Sequence, residues 1–207
     1  MEIIITLIIL LFSAVIHEVC HGVMAYRLGD DTAKMAGRLT LNPIPHLDPF
    51  ASILLPLFLV WAGSPIIFGS AKPVPVNFMG LRDPKKGMAL VSLAGPVSNF
   101  ILALIFAIPL RFSGLELDSQ LAGIFATAVM INLSLGIFNL LPIPPLDGFK
   151  VFASLVSRDI MGIYRFLEYE RFGFLLIIIL LYSGLIHSVL VPLLRFMSQI
   201  LLGFSII

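Results

Sequence analysis

His17, Glu18 and His21 fall within five residues in AVIHEVCHGV, residues 14–23, directly after an apolar run from Ile3 to Ile16. On a helix, positions i and i+4 project from one face. His17 and His21 therefore offer two imidazoles to one metal ion, with Glu18 beside them. This is the His-Glu-x-x-His arrangement of zinc-dependent hydrolysis. Zinc lowers the pKa of its water toward ~7, and a neighbouring carboxylate takes the proton as hydroxide attacks a carbonyl. The alternative is that the three groups only hydrogen-bond to neighbouring helices. It is the weaker reading, because ionisable residues in an apolar helix are expensive and usually functional.

A catalytic zinc keeps three protein ligands and one open position, so a third ligand comes from elsewhere in the chain. His46, His187 and the few acidic residues near membrane level are candidates. The best lies in FNLLPIPPLDGFK, residues 138–150. Pro142, Pro144 and Pro145 stop an apolar helix and force extended backbone, and Gly148 permits a tight turn after Asp147. Asp147 can equally serve as the N-cap of the following helix, and spacing alone leaves the two readings even. Asn99, in GPVSNF, either contacts the active site or substrate or makes an interhelical hydrogen bond. The small residues Gly95 and Ser98 beside it favour the hydrogen bond. Cys20 reads as a small packing residue. His46 reads as a solvated or capping side chain in a Pro-rich loop, and His187 as marking a turn at the membrane surface.

The chain of 207 residues is 59% hydrophobic and 12% charged, the composition of an integral membrane protein. A formal net charge of +1 gives no case for nucleic acid. A single cysteine excludes an intrachain disulfide. The first apolar run has no basic leader and no small-residue cleavage site, and reads as a retained helix. Apolar stretches at about 3–26, 50–68, 88–110, 121–141 and 172–204 predict an all-α polytopic membrane protein. The last stretch holds one span plus a second span or an interfacial helix, with a break near His187 to Pro192. Stretch 50–68, interrupted by Pro56, Gly63 and Pro65, is the exception. Basic residues at 27–48, 69–86 and 142–171 all fall on the cytoplasmic side only if 50–68 is re-entrant or a short membrane segment. The mixed segment 149–171 predicts one or two surface helices. No repeat or linker divides residues 1–207, which read as a single membrane-embedded domain.

HEVCHG in the first helix together with NLLPIPPLDG near the end of a later one resembles the site-2 protease family of intramembrane zinc metalloproteases. The likeness is to the small prokaryotic members without PDZ or CBS modules. GRLTLNPIPHLDP, GSAKPVPVNF and LAGPVSNF fit the same branch, so it covers roughly residues 14–150. The resemblance implies a core of three transmembrane helices carrying one zinc per chain, held by His17, His21 and Asp147, with Glu18 as catalytic base. It implies that Asn139 binds substrate backbone or the oxyanion, and Asn99 is a second candidate substrate contact. The implied activity is regulated intramembrane proteolysis, hydrolysing peptide bonds in transmembrane helices of substrate proteins within the lipid bilayer of the cell membrane. The basic loops place the site toward the cytoplasm. GRLTLNP, residues 37–43, alternates enough to offer a strand edge to an extended substrate. A metal-ion transporter and a catalytically silent membrane scaffold are the competing classes. Transporters favour internal repeats and ligands on several facing helices, and neither is visible. The complete catalytic set argues against a silent scaffold.

Overall fold

A computed structural model describes residues 2–49, 54, 57–58, 61, 71–113, 119–156 and 170–203. Its α-helices are α1 (Glu2–Arg27), α2 (Thr32–Met35), α3 (Pro84–Phe112), α4 (Gln120–Asn139), α5 (Asp147–Val156), α6 (Glu170–Tyr182) and α7 (Leu185–Leu202). No strand occurs among the described residues. Helices α1, α3, α4 and α7 are long and apolar enough to cross a membrane. The protein is an all-α polytopic membrane protein.

Local chemistry sets the helix ends. Pro84 opens α3, where its missing N–H is no loss, and the Asp83 side chain accepts from Lys86 N–H. Ser119 caps α4 by accepting from Ala122 N–H at 3.2 Å. The predicted break near His187 to Pro192 falls instead at Ser183–Gly184. Gly184 takes φ +74°, a left-handed conformation open to glycine. Pro192 stays inside α7, as prolines can in membrane helices, and exposed His187 sits in its first turn.

Side-chain register fixes the helix directions. His17 meets Asn99 while His21 meets Val91, so α1 and α3 run antiparallel. Phe100 lies against Gly136 and Phe106 against Phe125, so α3 and α4 are also antiparallel. Arg111 Nη1 donates to the carbonyls of Ile200 at 2.8 Å and Leu201 at 3.1 Å, which brings the end of α7 to the end of α3. Arg27, Pro84 and Asn139 therefore share one end of the bundle. Leu28 and Asp83, which adjoin Arg27 and Pro84, therefore both lie at that end. The segment at about 50–68 lies outside the described residues except for the exposed helical Leu54, Leu57, Phe58 and Trp61.

Small residues let α3 approach its neighbours. Ala103, Ala107, Val129, Leu133 and Ile137 form a core between α3 and α4 that Leu194 and Leu202 of α7 close. A Cβ on Gly136 would stand 2.9 Å from the Phe100 ring, so glycine here sets the α3–α4 distance. Ile4, Ile8, Ile101, Leu104 and Ile108 remain exposed on the outer faces. Large apolar side chains left exposed along two spanning helices suit hydrocarbon, not water.

Candidate metal centre

His17 and His21 occupy consecutive turns of α1, as their spacing predicts, and both are buried. Their rings meet edge to face with centroids 4.6 Å apart. His17 Nε2 and His21 Nε2 are 3.0 Å apart, and each lies 3.1 Å from Asp147 Oδ2. Asp147 is the first residue of α5 and turns this oxygen to the imidazoles. Spacing had left its role even between capping and ligation; its position beside both rings is what ligation requires.

The far sides of the rings are committed. His21 Nδ1 donates to the Val91 carbonyl at 2.7 Å, and His17 Nδ1 lies 2.6 Å from Asn99 Oδ1. A carbonyl only accepts, so His21 keeps its proton on Nδ1 and directs Nε2 inward. Two imidazole nitrogens and a carboxylate oxygen then converge with every pair within 4.8 Å. Facing lone pairs repel unless a cation lies between them, so this donor set fits a divalent metal. Nitrogen and carboxylate ligands in this number match a zinc site with one coordination position left open. Gly95 of α3 makes room for it: a Cβ there would stand 2.4 Å from His21 Nε2 and 2.6 Å from His17 Nε2.

Glu18 is half-buried, and its Oε2 accepts from Val74 N–H at 2.8 Å. Val74 belongs to the irregular segment 71–77, AKPVPVN. Lys72 N–H donates to the His46 carbonyl, Arg38 Nη2 to the Lys72 carbonyl, and Asn77 N–H to Asp30 Oδ2. Pro73 and Pro75 have no N–H, so Val74 supplies the one backbone donor between Lys72 and Val76. Each proline also biases the residue before it toward extended backbone. The prolines were the signal that could have found this contact in the sequence.

Four expectations are refined. His46 is not solvated: it is fully buried, with Nε2 donating to the Thr40 carbonyl at 2.9 Å, because residues 37–46 fold against segment 71–77. Residues 37–43 form no strand, and the segment held against Glu18 is 71–77. Asn99 has no exposed surface and spends both ends of its amide between helices, on His17 and on Asn132 of α4 at 3.0 Å. It supports the centre from behind, as the interhelical hydrogen bond favoured above requires. Gly148 lies inside α5 and serves close backbone packing against Leu140, where a tight turn was expected. Asn139 ends α4 half-buried, its amide donating to the Leu135 carbonyl at 3.0 Å, and it makes no hydrogen bond to His17, Glu18, His21 or Asp147. Cys20 is free and half-buried. Sequence reasoning missed Val74, Val91, Asn132 and the steric role of Gly95.

A helical membrane bundle with a buried His-His-Asp donor set and an adjacent glutamate defines a class, the polytopic membrane metalloenzymes. Within it, the chain belongs to peptidase family M50, the site-2 protease family. The model of "Peptidase family M50" matches residues 112–183. "Putative zinc metalloprotease YwhC" of Bacillus subtilis is 42% identical over 195 residues, covering 91% of this chain and 84% of that protein. "Putative zinc metalloprotease Rip2" of Mycobacterium tuberculosis is 34% identical over 139 residues, covering 67% of this chain and 52% of its own length. "Zinc metalloprotease MJ0392" of Methanocaldococcus jannaschii is 29% identical over 87 residues, 41% of this chain and 25% of that protein. No solved structure matches the chain. The protein is a zinc metalloprotease, a hydrolase of peptide bonds.

Proposed function

We propose that His17, His21 and Asp147 hold one zinc ion per chain and that Glu18 is the general base for cleavage of transmembrane segments of other membrane proteins. The observation that carries this reading is the convergence of three metal-binding atoms within 4.8 Å, two of them on a helix apolar enough to span a bilayer. Bound zinc supplies Lewis acidity to a substrate carbonyl and acidifies water. Glu18 takes the proton from the attacking water at its carboxylate and returns it to the leaving amine. The Val74 N–H holds Oε2 and orients the other oxygen toward the reaction. Asn139, at the end of α4, meets the substrate backbone. The centre faces the cytoplasm, because Arg27, Lys85 and Lys86 flank the bundle end to which α1 and α4 descend. Water enters from that side past the irregular Pro142–Leu146 segment, where Pro142 and Pro145 are exposed. The physiological role is regulated intramembrane proteolysis, carried out by residues 1–207 as one membrane domain.

The test compares Glu18→Gln with wild type in cells and after purification. Zinc content by mass spectrometry should stay at one per chain, while cleavage of membrane-anchored peptides falls by at least ~10²–10⁴-fold. Membrane-protein fragments present with wild type should vanish with the variant. Equal fragment patterns, together with no cleavage of any membrane peptide by zinc-loaded wild type, would rule the reading out.

Val74→Pro removes one N–H and leaves every candidate ligand in place. A hydrogen bond to a charged group contributes about 1.5–3 kcal/mol, so turnover should fall roughly 10- to 100-fold with zinc content unchanged. Unaltered kcat in Val74→Pro would show that Glu18 needs no such support.

A further inference from the structure

Asn132 lies in mid-α4 and is fully buried, as is Asn99. Its Nδ2 donates to the Ala128 carbonyl and to Ser13 Oγ, each at 2.9 Å, and its Oδ1 accepts from Asn99 Nδ2 at 3.0 Å. Asn99 Oδ1 in turn lies 2.6 Å from His17 Nδ1. Ser13 and His17 are one turn apart on α1, so the contacts close a polar ring through α1, α3 and α4.

The ring has a forced polarity. The Ala128 carbonyl can only accept, so Asn132 must present its NH₂ there and its oxygen to Asn99. Asn99 must then present its NH₂ to Asn132 and its oxygen to His17. That oxygen only accepts, so His17 carries its proton on Nδ1 and keeps a lone pair on Nε2, toward Asp147. Three hydrogen bonds transmit the direction of one backbone carbonyl to the choice of imidazole tautomer. We propose that Asn132 is a positioning residue that fixes the metal-binding tautomer of His17 through Asn99, with Ser13 holding its second N–H. This rests on His17 being a zinc ligand. Partners behind a ligating histidine fix its tautomer and orientation, and their loss lowers metal affinity about 10- to 100-fold.

The experiment uses full-length protein in detergent micelles with ¹⁵N-labelled histidine. Long-range ¹H–¹⁵N spectra of zinc-free protein at alkaline pH report the tautomer, with the His17 signals assigned by their loss in His17→Gln. Wild type should show a single Nδ1–H form for His17. Asn132→Leu, which offers Asn99 no acceptor, should show mixed tautomers and zinc affinity weaker by roughly 10- to 100-fold in chelator competition. Asn132→Asp still offers an oxygen to Asn99, so it should keep the Nδ1–H form and lose no more than a few-fold in affinity. It should nevertheless melt below Asn132→Leu, because a buried carboxylate faces the Ala128 carbonyl. A packing role alone would rank both measurements alike, with Leu above Asp, and that result overturns the proposal. So does a mixed tautomer in wild type. If Asn132→Asp does not accumulate, zinc affinities of Asn99→Leu, Asn132→Leu and the double variant decide. A double variant no worse than Asn99→Leu supports the proposal, and additive losses overturn it. The zinc-free spectra stand apart from peptide cleavage, so failure here and failure of the protease reading are distinguishable.

Discussion

Gly95→Ala is expected to give a folded chain that holds no zinc. The added methyl would stand 2.4 Å from His21 Nε2 and 2.6 Å from both Nε2 and Cε1 of His17. It would occupy the space between the inward nitrogens, not a margin of the site. The rings have no easy way to yield. Each is tied at Nδ1 to α3 itself, His17 through Asn99 and His21 through the Val91 carbonyl, and α3 is the helix that carries the methyl. Swinging either ring aside breaks a buried hydrogen bond, which costs about 1–3 kcal/mol for each group left unsatisfied. The helix itself gains from the change, since alanine is favoured over glycine in a helix interior by about 1 kcal/mol. That gain does not offset the broken ring contacts, so the zinc-free protein should melt modestly lower while zinc per chain falls to near zero and cleavage disappears. Full zinc occupancy in this variant would mean that the metal does not lie among His17, His21 and Asp147.

Legibility in the sequence followed the range of the physics. His17, Glu18 and His21 were readable because helical spacing is a local rule, and the apolar run made three polar groups conspicuous. The spans were readable because the bilayer sets their length. Asp147 stood out from its prolines, but its contact with the histidines joins residues 130 and 126 positions apart, which no local pattern encodes. The supports are less visible still. The acceptor for His21 is the backbone carbonyl of Val91, whose side-chain identity carries no signal. Asn132 is one amide in an apolar helix and acquires meaning only from the α1–α3–α4 register. His46 misled because a polar, Pro-rich stretch reads as solvated, whereas it folds under segment 71–77. The break near the C-terminus was misplaced because a proline inside a membrane helix is a weaker stop than a left-handed glycine.

Gly148→Ala should damage the centre from the opposite side. Its Cβ would meet Leu140 O at 2.1 Å, Leu140 C at 2.3 Å and Leu141 O at 2.6 Å, all of them backbone atoms. No side chain can rotate away, so relief requires α5 to move off the end of α4. Leu140 is itself held, its N–H donating to the Gly136 and Ile137 carbonyls at 3.2 Å, so the shift falls mainly on the first turn of α5. Asp147 is the neighbouring residue and must travel with it. Its carboxylate then leaves the 3.1 Å contacts with both imidazoles. Overpacking costs typically ~1–3 kcal/mol, and the backbone collision here puts the loss at or above the upper part of that range. A misplacement of ~1 Å in a reacting constellation can cost ~10²-fold, so turnover should fall by about that factor even in zinc-loaded protein, and zinc affinity should fall with it. Gly123→Ala is the matched control, because a Cβ there meets nothing within 4 Å and α4 should gain from the alanine. If Gly148→Ala melts and binds zinc like Gly123→Ala, the close approach of α5 to α4 is not what holds Asp147 in place. If it loses both together, the glycine of Pro-Leu-Asp-Gly sets the position of the third ligand as directly as the aspartate supplies its chemistry.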